Sequence, residues 1–456
     1  MPKKEGGVSN STQDDPLKLV QDHFAIIDLE GELRVIDLDK VAAFKKGQST
    51  NGIPMYKRDA ADILIKRHLE STPIQSDPKK VITQFWTSGN TKLYNQIAFT
   101  PAVTDLSTLN YWVGPKRSEG PSSWLILRDY LRDIVCAADR EIFEYLLCYL
   151  AHMIQKPEDK PGVMIVLLGG QGIGKGVFFQ LLNAIWTQTT LSVSDVTQVT
   201  GRFNAALERA FVICMDEALF VGDKKAMDRL KSMVTEPQIQ IEQKYQPERR
   251  IGSVHRFFAA SNHSHFASID KDDRRFLFLR VSEARKQDTT YFRTIVDAIN
   301  DPKTLGGFIY YLEQKDLSNV DVRDRPLSSE HSRQKIQSLH GFDRYWYEVL
   351  NTGVLDPADD IFMANLDWGE PRFIATKDLV KYYRNYVKGT PKYDPIQTQQ
   401  VKESLLKLCP SATNSRQSTN THGSQSACRA RGVYLPTLER AREEFCNAIG
   451  DSIQWD

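Results

Sequence analysis

Apolar positions fall into blocks of period two or of period three to four, and these blocks divide the chain into elements. Phe24-Ala25-Ile26-Ile27 and Leu33-Arg34-Val35-Ile36 flank Glu30-Gly31-Glu32, which predicts a β-hairpin over His23 to Asp37. Lys57 to Leu69 then follows a helical period. A Gly-, Pro- and Ser-rich stretch, Gly114 to Ser123, precedes two amphipathic helical segments, Trp124 to Cys136 and Arg140 to Gln155, which end at Pro157 and Pro161. From there to Arg285 short β-rich runs alternate with helical patterns, the order of a mostly parallel sheet covered by helices. Tyr291 to Leu312 and Gln334 to Leu350 are again helical, with Pro326 marking a joint, and a third composition begins near Pro371. The expected units are a frayed tail (1–16), an N-terminal α/β region (17–115), a helical segment (116–160), an α/β core (161–285), a second helical segment (286–350) and a C-terminal domain (351–456).

Length and charge narrow the function classes. A chain of 456 residues suits two or three domains. Lys+Arg 59 against Asp+Glu 58 leaves a net charge of +1, so any surface for nucleic acid must be local. The most apolar run, Val163 to Leu168, is far shorter than the roughly 20 residues that span a bilayer, which argues against a membrane protein. The polar start, Met1 to Pro16, is unlike a signal peptide, and a cytoplasmic location is expected. The six cysteines form no C-x-x-C pair and read as reduced, mostly buried thiols.

The sharpest motif is Gly169-Gly170-Gln171-Gly172-Ile173-Gly174-Lys175-Gly176, set between the apolar strand Val163 to Leu168 and the helical run Val177 to Ile185. A phosphate chain is wrapped by backbone N–H groups at a helix N-terminus, and glycines let the backbone curl that closely. Lys175 supplies a point charge for the β and γ phosphates of ATP. The Ser or Thr that normally follows this lysine and touches magnesium is Gly176, and Val177 offers no hydroxyl either. Mg²⁺ must then lean on water and acids. Those acids are expected at Asp216-Glu217, which end the apolar strand Phe211 to Met215: Asp216 to hold the metal, Glu217 to polarise the attacking water.

A further strand, Phe257 to Ala260, ends in Ser261-Asn262. Asn262 is either a plain turn former or a hydrogen-bond partner of the γ-phosphate or attacking water. Asp270-Lys271-Asp272-Asp273 precedes Arg274-Arg275 and the strand Phe276 to Val281. The two arginines either balance those aspartates or act as an arginine finger on a neighbour's nucleotide. Ile239 to Ile251 alternates and is interrupted at Pro247, a hairpin whose tip carries Lys244 and Tyr245. A cation beside an aromatic suits a nucleic-acid strand, through a phosphate and a stacked base; the alternative is an ordinary surface lysine.

In this order the motifs resemble the ATPase core of superfamily 3 helicases, in particular the phage, plasmid and prophage primase-helicase type, similar to poxvirus-type replicative enzymes. G-G-Q-G-x-G-K-G, Gly201-Arg202-Phe203-Asn204 and Asp272-Asp273-Arg274-Arg275-Phe276 carry the likeness, which covers Trp124 to Arg285 well and Tyr94-Asn95 and Trp112-Val113-Gly114 more weakly. A Lys-Gly pair is usual in that group, whereas Ile173 and Val177 depart from it. The resemblance implies an AAA+-like P-loop NTPase fold with a helical collar before it. It also implies a ring, commonly a hexamer, with ATP and Mg²⁺ between subunits and hairpins projecting onto single-stranded DNA. Carried across, Lys175 binds phosphate, Asp216 magnesium, Glu217 activates water, Asn262 senses the γ-phosphate, Arg274 or Arg275 acts in trans, and Lys244 with Tyr245 grips DNA.

From Arg372 to Asp456 there are 13 Lys+Arg against 8 Asp+Glu, a local excess in a neutral chain. Helical runs 376–387 and 397–408, a polar loop 411–426, the strand Ala430 to Leu435 and a last helix resemble the winged helix that ends such primase-helicases. This tail is read as a DNA or primosome contact, or else as a packing domain. No acidic triad of a primase stands out in the first 120 residues, so primer synthesis is expected on another chain or module, a separate primase or polymerase. The leading expectation is an ATP-dependent DNA helicase for a phage or other mobile element; the alternatives are a non-translocating P-loop ATPase switch in defence or packaging, and a nucleotide-binding docking scaffold.

Overall fold

The computed structural model describes residues 15–29, 31–48, 53–218, 223–242, 248–263, 265–266, 273–355, 368–388, 398–419, 428–451, 453 and 455. In the N-terminal region α1 (Pro16–His23) leads into β1 (Phe24–Leu29) and β2 (Glu32–Asp37). These strands pair antiparallel from Phe24↔Asp37 to Leu29↔Glu32, the expected hairpin. Helices α2 (Leu38–Lys45), α3 (Arg58–Glu70) and α4 (Pro78–Thr87) follow, and β3 (Met55–Tyr56) and β4 (Leu93–Tyr94) complete a sheet of order β3-β2-β1-β4. Because side chains alternate along a strand, Phe24 and Ile26 enter one core with Val35, Ile65 and Phe85, while Ala25 and Ile27 enter another with Ile36, Phe44 and Tyr111. A short parallel pair, β5 (Gln96–Ala98) and β6 (Thr108–Asn110), closes the region.

The predicted helix over Trp124 to Cys136 is not one α-helix. It begins as α5 (Leu125–Asp129), widens into a π-helical turn, Tyr130–Val135, and ends in Ala137 and Ala138 with positive φ. The wider turn lets Cys136 N–H bond Leu131 C=O, and it sends Tyr130, Leu131, Ile134 and Val135 all into the core. π-Turns of this kind cluster at functional sites. Helix α6 (Arg140–Gln155) then packs under the central sheet.

That sheet is built from β7 (Met164–Leu168), β8 (Thr190–Val193), β9 (Val212–Met215), β12 (Arg256–Ser261) and β13 (Phe276–Arg280), all parallel, in the order β13-β7-β12-β9-β8. β7, β9, β12 and β13 are buried almost throughout because both faces are covered, whereas the edge strand β8 exposes Ser192. One face packs on the π-turn, α6, α7 (Lys175–Ile185), α10 (Thr289–Asn300) and α11 (Pro302–Gln314). The other packs on α8 (Thr197–Thr200), α9 (Lys224–Thr235) and the antiparallel hairpin β10 (Gln238–Ile241)–β11 (Arg249–Gly252). β7 lies between two strands that come later in the chain, so its C-terminal end opens onto a crevice, where α/β sheets commonly place ligands.

The stretch 286–350 divides between two cores. Asp301 caps α11 and Pro302 occupies its first turn, so the expected run Tyr291 to Leu312 is broken in two. α12 (Ser329–Ser338) buries Glu330, His331, Gln334 and Lys335 rather than apolar groups, and α13 (Gly341–Thr352) joins the C-terminal core through Phe342, Tyr345, Trp346 and Val349. After α13 come β14 (Arg372–Ala375), α14 (Thr376–Lys388), α15 (Thr398–Leu408), β15 (Thr413–Thr419), β16 (Cys428–Leu435) and α16 (Leu438–Ile449), with a sheet of order β14-β16-β15. The expected polar loop 411–426 is in part a strand: seven residues of β15 pair with β16, because an edge strand of Thr, Ser, Asn and Gln gains ladder bonds without needing an apolar face. Residues 420–426 of that loop lie outside the described residues. Among the described residues no helix is long and apolar enough to cross a membrane, and Cys136, Cys148, Cys214, Cys409 and Cys446 are free.

Candidate functional site

β7 empties into the glycine loop at its C-terminal end. Gly169 and Gly174 adopt φ of 141° and 99°, and each is closely covered: a Cβ at Gly174 would lie 2.4 Å from the Phe292 ring, and one at Gly169 2.5 Å from Ile173 Cδ1. At Gly174 a larger residue is therefore opposed both by backbone and by the ring, and at Gly169 chiefly by backbone. Gly174 is the N-cap of α7, so the loop delivers its N–H groups at the start of an 11-residue helix. Tyr130, carried by the π-turn, donates its hydroxyl to Gly174 C=O at 2.9 Å, and Gln287 N–H donates to Gly172 C=O at 2.8 Å.

Lys175 is buried and folds back over this loop. Its ammonium donates to the carbonyls of Gly169 and Gly170, both at 2.6 Å, and to Asn262 Oδ1 at 2.8 Å. Burial pushes its pKa down, while Asp216 and Glu217 push it back up. Asn262 reaches it because β12 is the register neighbour of β7, Ser261 pairing with Leu168. Asp216 follows β9 on the far side of β12; its N–H donates to Val193 C=O, and its carboxylate accepts from Glu217 N–H at 3.0 Å. Glu217 holds φ 54°, rare for a residue with a side chain, and Ala218 N–H then returns to Ala260 C=O. This left-handed turn leaves both carboxylates exposed at the strand ends.

Gln171, Ile173, Val177, Lys175, Asp216, Glu217 and Asn262 thus line one cavity of about 580 Å³. Its other wall is α10, through Phe292, Arg293 and Val296, preceded by Gln287. Those α10 residues carry no motif, so only packing reveals them. Gly176 lies at the cavity wall with nothing within 4 Å of where its Cβ would stand. The missing hydroxyl is therefore a choice of sequence and not of space. Among the described residues no group of three or more His, Cys, Asp or Glu forms a ready metal cage, and Asp216 with Glu217 is the acidic pair available here.

Arg274 and Arg275 are not brought to this cavity. They precede β13, at the opposite end of the sheet: Arg275 C=O accepts from Met164 N–H, whereas Arg280 pairs with Leu168. Four strand steps of roughly 3.3 Å place about 13 Å between the two ends. Arg274 is exposed, and Arg275 lies 3.6 Å from the buried Asp273 carboxylate, which also meets Lys231 at 3.2 Å. Arg325 donates to the carbonyls of Asp273 and Arg274 and so holds this corner. The pair lines a separate cleft of about 790 Å³ with Lys160 and Arg323.

Lys244 and Tyr245 lie outside the described residues. The base of their hairpin is braced: Asn204 Nδ2 donates to Gln240 C=O at 2.9 Å and Asn204 Oδ1 accepts from Glu242 N–H at 3.0 Å.

The core is thus an α/β unit around a parallel sheet, with a glycine loop, a lysine, two acids and an asparagine gathered at the C-terminal end of its strands. Residues 167–275, which contain all of these positions, match a family of unknown function (DUF5906). Over 246 residues the chain is 28% identical to the DNA primase-polymerase of Nitratiruptor phage NrS-1, a match spanning 51% of this chain and 33% of that protein. The chain therefore spans about a third of the length of that relative. Two structures of the C-terminal region of NrS-1 share the fold. One superposes with a TM-score of 0.61 at 14% identity, covering 92% of this chain and 99% of that one. The other, an A form, gives 0.62 at 15%, covering 93% and 99%.

Proposed function

We propose that this chain is an ATP-dependent motor of phage DNA replication, a P-loop NTPase of the AAA+-like superfamily 3 helicase type that moves on single-stranded DNA and unwinds duplex. The observation that carries this reading is the convergence of Lys175, Asp216, Glu217 and Asn262 on one cavity at the C-terminal end of β7. The likeness to a phage DNA primase-polymerase supports a replication role in the host-cell cytoplasm. Bound Mg²⁺ would supply charge neutralisation at the phosphates, held by Asp216 and water. The N-terminus of α7 and the loop N–H groups bind the phosphate chain, and Lys175 exchanges its bonds to the carbonyls of Gly169 and Gly170 for phosphate oxygens. Glu217 takes the proton of the attacking water, and Asn262 orients that water or the γ-phosphate.

Arg274 and Arg275, being at the far end of the sheet, serve a neighbouring subunit's nucleotide, which calls for a ring, commonly a hexamer. The braced β10–β11 hairpin then carries Lys244 and Tyr245 along the DNA. The α13–β14–α14–α15–β15–β16 order supports a winged-helix-like reading of the C-terminal unit, and a separate primase or polymerase remains a candidate partner. The absence of a hydroxyl at Gly176 and Val177 favours a second reading, a nucleotide-binding scaffold or ATPase switch with slow turnover. ATP hydrolysis and forked-duplex unwinding, measured with and without single-stranded DNA for the native protein and Lys175→Ala, separate the two. Hydrolysis that survives Lys175→Ala would sink the enzyme, and hydrolysis indifferent to DNA would favour the switch.

A further inference from the structure

β15 and β16 run side by side well past the end of β14. Ala375, the last residue of β14, pairs with Gly432, and Gly432 pairs with Ser415; beyond that point only two strands continue, through Arg416↔Arg431 and Ser418↔Arg429. Residues directly opposite in an antiparallel pair share a face, as do residues two apart on one strand. Arg416, Arg429 and Arg431 therefore stand on a single face of the projecting ribbon. The same face is apolar nearer the domain, where Val433 and Leu435 are buried in the C-terminal core. Where the ribbon leaves that core, the positions that would continue the apolar face are arginines.

All three arginines are exposed, and among the described residues none of their guanidinium groups has an ion-pair or hydrogen-bond partner. Opposed like charges weaken a β-ladder, so Arg416 facing Arg431 is a feature that folding alone disfavours. The neighbouring helix α14, which starts directly after Ala375, adds Lys377, Lys381 and Arg384 at spacings of four and three, all exposed and likewise unpaired among the described residues. By contrast, among the residues of α15 whose burial is described, the exposed ones are Gln400, Glu403 and Lys407, with no excess of one sign. Among the described residues the unpaired exposed cations of this unit thus cluster on the ribbon and α14 rather than on α15.

We propose that the β15–β16 ribbon is a nucleic-acid site that binds the DNA phosphate backbone through Arg416, Arg429 and Arg431. Cross-strand neighbours lie about 5 Å apart and same-strand ones about 7 Å, close enough for one ribbon to bridge successive phosphates. A two-stranded ribbon also fits the major groove of a duplex. Guanidinium groups grip phosphate by paired N–H bonds, which favours them over lysine here. The lysines and arginine of α14 extend the positive field around the ribbon. This site needs neither ATP nor the hairpin between β10 and β11.

The test measures binding by the full-length protein of labelled 20-mer duplex, labelled single strand of equal length and polyglutamate, over a range of salt. It is run without nucleotide, and in a Lys244→Ala, Tyr245→Ala background so that the other proposed DNA contact is absent. Replacing Arg416, Arg429 and Arg431 together by Gln is expected to weaken oligonucleotide binding at least tenfold. The slope of log K against log salt should fall by about 0.9 per arginine on duplex, or about 0.7 on single strand, which tells the two forms apart. Arg431→Glu, which gives Arg416 an opposite charge across the ladder, should leave the melting temperature unchanged or raised while binding falls. Unchanged affinity and slope in the triple variant, or wild-type binding of polyglutamate as tight as of DNA, would overturn the proposal.

Discussion

Lys175 and Asn262, 87 residues apart, meet at 2.8 Å through Nζ and Oδ1. The contact links the end of β7 to the end of β12, and with it the loop that would hold phosphate to the residue that would sense it. On the proposed function, Asn262→Ala should leave nucleotide binding within about threefold. Turnover should drop by roughly 10² to 10³, the usual effect of losing one oriented donor in a polar site. Nucleotide titration beside steady-state hydrolysis checks it; equal losses in both would make Asn262 a structural residue.

The two glycines flanking Lys175 should answer differently to a side chain. At Gly176 the space is open, so Gly176→Ser should fold with stability unchanged or raised by about 0.4–1 kcal/mol, as Gly replacements at permissive sites do. By supplying the missing hydroxyl it should also lower the Mg²⁺ concentration needed for half-maximal hydrolysis. At Gly174 the positive φ and the Phe292 ring oppose any Cβ, and Gly174→Ala should cost about 1–3 kcal/mol and abolish nucleotide binding. Denaturant melts and a Mg²⁺ titration of both variants decide the matter.

Arg274 and Arg275 cannot serve the cavity of their own subunit from the other end of the sheet. A protein with both changed to Ala, and one with Glu217→Gln, should each lose hydrolysis by roughly 10³-fold or more. Mixed in equal amounts they should recover about a quarter of the native rate per site, since one interface in four pairs an intact pocket with intact arginines. Failure to recover would place the arginines in a purely structural role beside Asp273.

Two buried histidines set an acid limit. His255 Nε2–H donates to Leu207 C=O and Nδ1 accepts from Ser253, and burial pulls its pKa down to about 4. His331, packed beside Arg325, is pulled down to about 3 by burial and then by that guanidinium. Each binds a proton in the unfolded chain near pH 6.5 but not in the folded one. Stability is therefore fully present above about pH 6.5 and is lost as pH falls toward 4, by up to about 1.4 kcal/mol per pH unit for each histidine. Urea unfolding at pH 7 and pH 5 should show this slope, and His255→Gln should reduce it; a flat profile would mean these rings are protonated in the folded state.

Much of this was legible in the sequence. The hairpin of β1 and β2, the strands β7, β9, β12 and β13, and the order of the loop, acids and Asn262 all rest on local rules: period-two burial, glycine at positive φ, polar residues where an apolar strand ends. Such features are settled within about ten residues of chain, so they can be read without the fold. The break of the predicted helix at Tyr130 could not be read that way, because a π-turn costs hydrogen-bond geometry locally and is held by burial of Tyr130, Leu131 and Ile134 against distant elements. The α10 wall of the cavity, the strand in what reads as a polar loop and the transfer of α13 to the C-terminal core are likewise set by packing partners far along the chain. Residue type and spacing determined which polar groups follow the glycine loop and the strand ends; the order β13-β7-β12-β9-β8 decided that Lys175, Asp216, Glu217 and Asn262 share one end of the sheet and that Arg274 and Arg275 face the other. The physical reason is that a parallel sheet fixes every strand's direction at once, so a side chain's end of the sheet depends on whether it precedes or follows its strand, and its neighbours depend on crossovers that no local pattern encodes.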